Sequence, residues 1–98
     1  MFADLPTYPR RRENVEMEVM PDGSALLYDP QSDQGHVLTA LGALVWDMCD
    51  GSMTSQAICE ECAALLPQLP DTFNVVHDLI ASFRELSLLQ AAEGASDT

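Results

Sequence analysis

The stretch Leu38-Thr39-Ala40-Leu41-Gly42-Ala43-Leu44-Val45-Trp46-Asp47-Met48-Cys49-Asp50-Gly51 constrains this chain more than any other. Its apolar residues Leu41, Leu44, Val45 and Met48 recur at i, i+3, i+4 and i+7, the spacing of one helix face. Thr39 can cap the start, and Gly51 can take the left-handed turn that ends a helix. A complete short helix is therefore predicted here. Upstream the hydrophobic pattern has period two and downstream it has the helical period, so the chain changes at this helix from sheet to helix.

Upstream, Val15-Glu16-Met17-Glu18-Val19 alternates apolar with acidic and predicts a half-buried strand. Pro21-Asp22-Gly23-Ser24 is turn chemistry, and Ala25-Leu26-Leu27-Tyr28 follows as the second strand of a hairpin. After a polar loop over residues 29–35, His36-Val37-Leu38 is long enough only for a short third strand. Being last in the sheet, it is expected at an edge, where unpaired N–H and C=O groups recruit or repel another strand. Residues 1–13 carry Pro6 and Pro9 without periodicity and read as an extended arm. Within it, Arg10-Arg11-Arg12 is expected to be solvated, docking on an acidic partner being the alternative.

Downstream, Thr54 is a good cap for a second helix over residues 55–66, with Ile58, Cys62 and Leu65/Leu66 as its buried stripe. Pro67 and Pro70 end it, and a third helix runs from Asp71 or Thr72 to about Leu88. At ~100° per residue, Phe73, Val75, Val76, Leu79, Ile80, Phe83 and Leu86 occupy an arc of roughly 160°, wider than the ~100° of an ordinary core-facing stripe. Phe73, Val76, Ile80 and Phe83 suffice for the core. Val75, Leu79 and Leu86 therefore either cover the sheet or face something else. Residues 90–98, small and polar, read as a tail. Residues 14–89 then make one α+β domain: a three-stranded antiparallel sheet followed by three helices, a compact winged helix-turn-helix arrangement.

Composition excludes several functions. Sixteen acidic against four basic side chains give a formal charge of -12, which repels a phosphate backbone. The third helix, which would have to enter a DNA groove, carries Arg84 against Asp71, Asp78 and Glu85. Nucleic acid is not an expected partner. No apolar run approaches the roughly 18 residues that span a bilayer, and Met1-Phe2-Ala3-Asp4-Leu5-Pro6 is not a secretion signal, so the expected location is cytoplasmic. Three cysteines, an odd number, fit a reducing compartment.

Catalytic chemistry has one candidate. Cys59-x-x-Cys62, with Cys49 elsewhere and His36 and His77 as further ligands, could make a thiol redox couple or a zinc site. Cys62 falls on the buried stripe of its helix and Cys59 one step round, so two small core thiols compete with that reading, and an exposed Cys59 would be open to oxidation. His77 lies on the polar side of the third helix with no nucleophile or carboxylate placed to make it a base. Trp46 is off the main stripe of its helix and is expected to pack as a lid. No Gly-rich phosphate loop or paired carboxylates are present, so no cofactor, metal or catalytic residue is assigned.

The order of elements, with Leu38 running into Val45-Trp46, then Cys49-Asp50-Gly51, then Thr54 opening a helix, resembles the core motif of the PqqD-like proteins. The closing Leu86-Ser87-Leu88-Leu89 is similar to that family's terminal helix, and the resemblance covers about residues 9–89. It implies a RiPP recognition element, a non-enzymatic peptide chaperone that binds the leader segment of a ribosomally made precursor peptide. The leader is then presented to a modifying enzyme, in the named member a radical S-adenosylmethionine protein. Carried over by position, His36, Val37 and Leu38 would offer backbone hydrogen bonds to an added strand. Val75, Leu79, Ser82 and Leu86 would form the helix wall beside it. The chain departs from the family pattern in having Thr39 where many members have Asn, and Gly35-His36 on the approach to the third strand. The acidic surface suits a leader with Lys or Arg near its anchors. A free edge and an N-terminal arm also allow a homodimer by strand exchange.

Overall fold

The structure, a computed structural model, describes residues 6–90. β1 (Glu16–Val19), β2 (Ala25–Asp29) and β3 (Gln34–Leu38) form an antiparallel sheet in the order β1-β2-β3, followed by α1 (Ala40–Met48), α2 (Ser55–Leu65) and α3 (Thr72–Glu85). This is the expected winged helix-turn-helix order. None of these helices is long and apolar enough to cross a membrane.

The hairpin turns are set by single residues. Gly23 takes φ +92° in the β1–β2 turn, and Asp22 Oδ1 accepts from the N–H and hydroxyl of Ser24 at 3.0 and 2.6 Å. Those bonds favour the charged carboxylate and hold the Asp22 pKa below the usual range. The second hairpin is tighter than its sequence implies. Asp33 adopts a left-handed φ of 57°, which lets β3 begin at Gln34 rather than His36, with Gln34 opposite Asp29 and Leu38 opposite Ala25. Gln34 and Gly35, expected in the loop, are strand residues.

Both threonine caps form as expected: Thr39 Oγ1 accepts from Gly42 N at 3.1 Å and Thr54 Oγ1 from Ala57 N at 3.0 Å. α1 ends earlier than Gly51: Cys49 is the C-cap, its N–H donating to Trp46 O at 3.1 Å, and Gly51, at φ +87°, turns the chain two residues beyond it. The buried face of α1, however, is Gly42, Val45 and Trp46. Leu41, Leu44 and Met48, three of the four residues expected to define it, pack only partly against the core. Gly42 explains the rotation. A Cβ there would lie 3.3 Å from Leu38 Cβ, so the small residue lets α1 approach β3 closely and turns Trp46 inward.

Trp46, expected as a lid off the main stripe, lies instead in the core, edge-on to Phe83 with ring centroids 5.2 Å apart and planes at 81°. Around this pair lie Leu27, Leu38, Val45, Ile58, Val76 and Ile80, all buried. Each such burial contributes roughly 1.5–3 kcal/mol.

α3 ends at Glu85, earlier than the apolar pattern suggests. Leu88 N donates to Phe83 O at 2.9 Å and Ser87 N to Arg84 O at 3.0 Å, the paired bonds of a Schellman stop. Ser87 occupies the left-handed position, φ 61°, that glycine usually fills. Ser87→Gly is therefore expected to stabilise the fold by about 0.5–1 kcal/mol, read as a higher urea midpoint at unchanged m-value.

Arg11 and Arg12 correct the expectation of a solvated run, forming a clamp, while Arg10 is exposed. Arg11 N donates to Cys49 O and Arg12 N to Leu88 O, at 2.8 and 3.0 Å, so this segment runs between the end of α1 and the chain after α3. Arg11 Nη1 caps the C-terminal end of α1 through Trp46 O and Asp47 O, at 3.3 and 2.9 Å. Arg12 grips buried Asp29 with both terminal nitrogens, at 3.1 and 2.8 Å, and donates to Ser87 O at 2.6 Å. The Arg12 guanidinium holds the Asp29 carboxyl below the usual carboxylate range. Gln90, expected in the tail, donates its N–H to Arg10 O at 2.7 Å. Residues 1–5 of the arm and 91–98 of the tail lie outside the described residues.

Candidate functional site

The residues singled out for peptide binding fall on two elements, β3 and α3. β3 pairs with β2 on one side, and among the described residues no strand pairs with its other side. Alternate residues along that side direct their N–H and C=O groups outward.

The register fixes where the β3 side chains stand, because directly opposed residues share a face of the sheet. Ala25, Leu27 and Asp29 are the buried residues of β2, and they oppose Leu38, His36 and Gln34. Leu38 is buried in the core and His36 half-buried on this helix-covered face. Val37 opposes Leu26 on the other face and is 81% exposed. The three residues thus offer a partner a shared backbone edge, while their side chains go to different places. Gln34 and Gly35 lengthen that edge to five residues. Sequence reasoning missed them because the only signal was Asp33, a residue type that tolerates the left-handed turn.

On α3, Val75, Leu79 and Ser82, with Leu86 at the C-cap, follow one another at i, i+4, i+7 and i+11, within an arc of about 60°. The core row Val76, Ile80 and Phe83 lies about 100° further round and is fully buried. The wide apolar arc therefore splits in two. Val75 and Leu86 are 42% and 46% exposed, and Ser82 is exposed beside them. Leu79 bridges the rows: it is half-buried and packs against the same hydrophobic cluster that holds Leu38. Exposed Asp78 and Glu85 border this row, and the Asp78 carboxylate lies 3.5 Å from His77 Nδ1.

The thiols are placed for packing. Cys49, Cys59 and Cys62 are all fully buried, which corrects the expectation that Cys59 could be exposed to oxidants. Burial pushes the Cys49 thiol up to about 12 and the Cys59 thiol up to about 11, and raises Cys62 as well. The thiolate is the nucleophile, and burial disfavours it at all three positions. Among the described residues, no group of three or more His, Cys, Asp or Glu is arranged to hold a metal ion.

An antiparallel sheet with an open third strand, followed by three helices of which the last carries a second, partly exposed apolar row, defines a small winged helix-turn-helix domain. The chain belongs to the PqqD family: the family described as "Coenzyme PQQ synthesis protein D (PqqD)" matches residues 24–89, from the turn before β2 to the buried Leu88-Leu89 pair. No curated protein matches the chain. Among solved structures it is similar to "TbiB1 in Complex with the TbiA(beta) Leader Peptide", with a TM-score of 0.65 and 16% identity, over 84% of this chain and 95% of that one. At that identity the likeness establishes the shared fold.

Proposed function

We propose that this domain is a non-enzymatic adaptor that captures the leader segment of a ribosomally synthesised precursor peptide. The leader adds to the sheet as a strand beside β3, and the domain presents it to a modifying enzyme. One observation carries the reading: a five-residue strand edge with no partner among the described residues occurs together with an exposed apolar row on α3. Backbone pairing to residues 34–38 would supply affinity with little demand on sequence. Val75, Leu79 and Leu86 would select alternate apolar side chains of the guest, with Ser82 between them. Family membership supports this use of the edge, and TbiB1, which shares the fold, is described in complex with a leader peptide.

The family also points to a radical S-adenosylmethionine enzyme as the recipient. The formal charge of -12 favours a leader with basic residues and would raise its association rate at low ionic strength. The full burial of all three cysteines favours core packing over the competing redox or zinc reading.

Isothermal titration with synthetic leader segments of short peptides encoded beside the protein tests the proposal. A bound strand exchanges backbone hydrogen bonds at alternate residues, so single N-methylation along the leader should weaken binding about tenfold at every second position. A uniform response along the peptide would mean that it does not bind as a strand.

A further inference from the structure

The sheet has a second edge, and its side chains are not those of β3. All four residues of β1 are exposed, and among the described residues no strand lies on the side away from β2. Met17 and Val19 oppose Leu27 and Ala25 and so share the helix-covered face, yet they are 38% and 60% exposed. The helices cover β2 and leave the apolar side of β1 open. On the other face, Glu16 and Glu18 oppose Tyr28 and Leu26. Edge strands are commonly blunted by shortness, charged side chains, proline or a bulge. β1 has only its four-residue length and two outward glutamates, which repel an acidic strand but not a basic one.

We propose that β1 is a docking edge for a strand of the modifying enzyme that alternates Lys or Arg with apolar residues. The pattern of β1 selects this occupant over a second copy of the chain. A two-fold pairing that continues the sheet keeps each face on its own side, so glutamates of one copy would lie directly opposite glutamates of the other. Like charges at that spacing are destabilising. A basic, alternating strand instead places cations opposite Glu16 and Glu18 and buries Met17 and Val19. The partner's identity rests on the adaptor reading above, while the surface is separate from β3.

Two probes test the docking edge: a synthetic peptide alternating lysine with valine, and its counterpart alternating glutamate with valine. Each is titrated into the full, isotopically labelled chain and followed by amide chemical shifts. Saturable shifts at residues 16–19 are expected with the lysine peptide only. Glu16→Lys combined with Glu18→Lys should weaken that binding at least tenfold and admit the glutamate peptide, leaving leader affinity unchanged. Shifts confined to residues 34–38, or indifference to the charge reversal, would overturn the proposal. So would concentration-dependent shifts at β1 in the free protein, which would place a second copy there. Leader binding without a β1 response would defeat the docking edge alone. A β1 response without leader binding would defeat the adaptor reading instead.

Discussion

Leu79→Glu is expected to weaken leader binding by about a hundredfold, the loss of roughly 2–3 kcal/mol that accompanies removal of a central apolar anchor. Leu79 sits between the two rows of α3, touching the core on one side and facing the uncovered row on the other. A carboxylate there would also oppose the apolar side chains of any strand lying beside it. Because Leu79 is half-buried, the variant must be read with its circular dichroism. Val75→Glu provides the companion test, since Val75 is largely outside the core and its substitution should spare the fold. Retained affinity in both variants, measured by titration calorimetry, would remove α3 from the binding surface.

Trp46→Ala should cost about 3–5 kcal/mol, a large part of the 5–15 kcal/mol that holds a typical domain together. The indole is buried against Phe83, and its loss would open a cavity at the junction of α1 and α3. For a domain of this size the midpoint of thermal unfolding should fall by about 15–30 °C. Trp46→Phe should recover much of that loss. A variant as stable as the native protein would place the indole outside the core.

What the sequence reveals and conceals follows from the range of the interactions. The first hairpin and the threonine caps are local, and both were legible from a few neighbouring residues. The division of α3 was legible too, because the excess width of its apolar arc has no use within a core already filled by Val76, Ile80 and Phe83. The inward turn of Trp46 was not, since it depends on how closely Gly42 lets α1 approach Leu38, a contact between elements. Nor was the stop at Ser87, where the residue type gives no hint of a left-handed backbone. The arginine run was misjudged for the same reason. Arg12 meets Asp29 and Ser87, distant in sequence, and a run of three cations carries no sign of such partners. For the proposed binding surface, the exposure of Val75 and Leu86 on α3 was legible in the width of its apolar arc, but the full length of β3 was not.

The clamp formed by residues 9–12 bears on how the molecule is made. Gly51 N donates to Pro9 O, while Arg10 O accepts from Gln90 N, so one short segment closes both the middle and the end of the chain. Contacts between such distant residues form late, because a long loop must be ordered before they contribute. During synthesis the hairpins and α1 can assemble on leaving the ribosome and residues 9–12 can close on them, but the bonds to Leu88 and Gln90 must wait for the chain that follows α3. Residues 9–12 therefore hold their complete set of partners only after Gln90 has emerged.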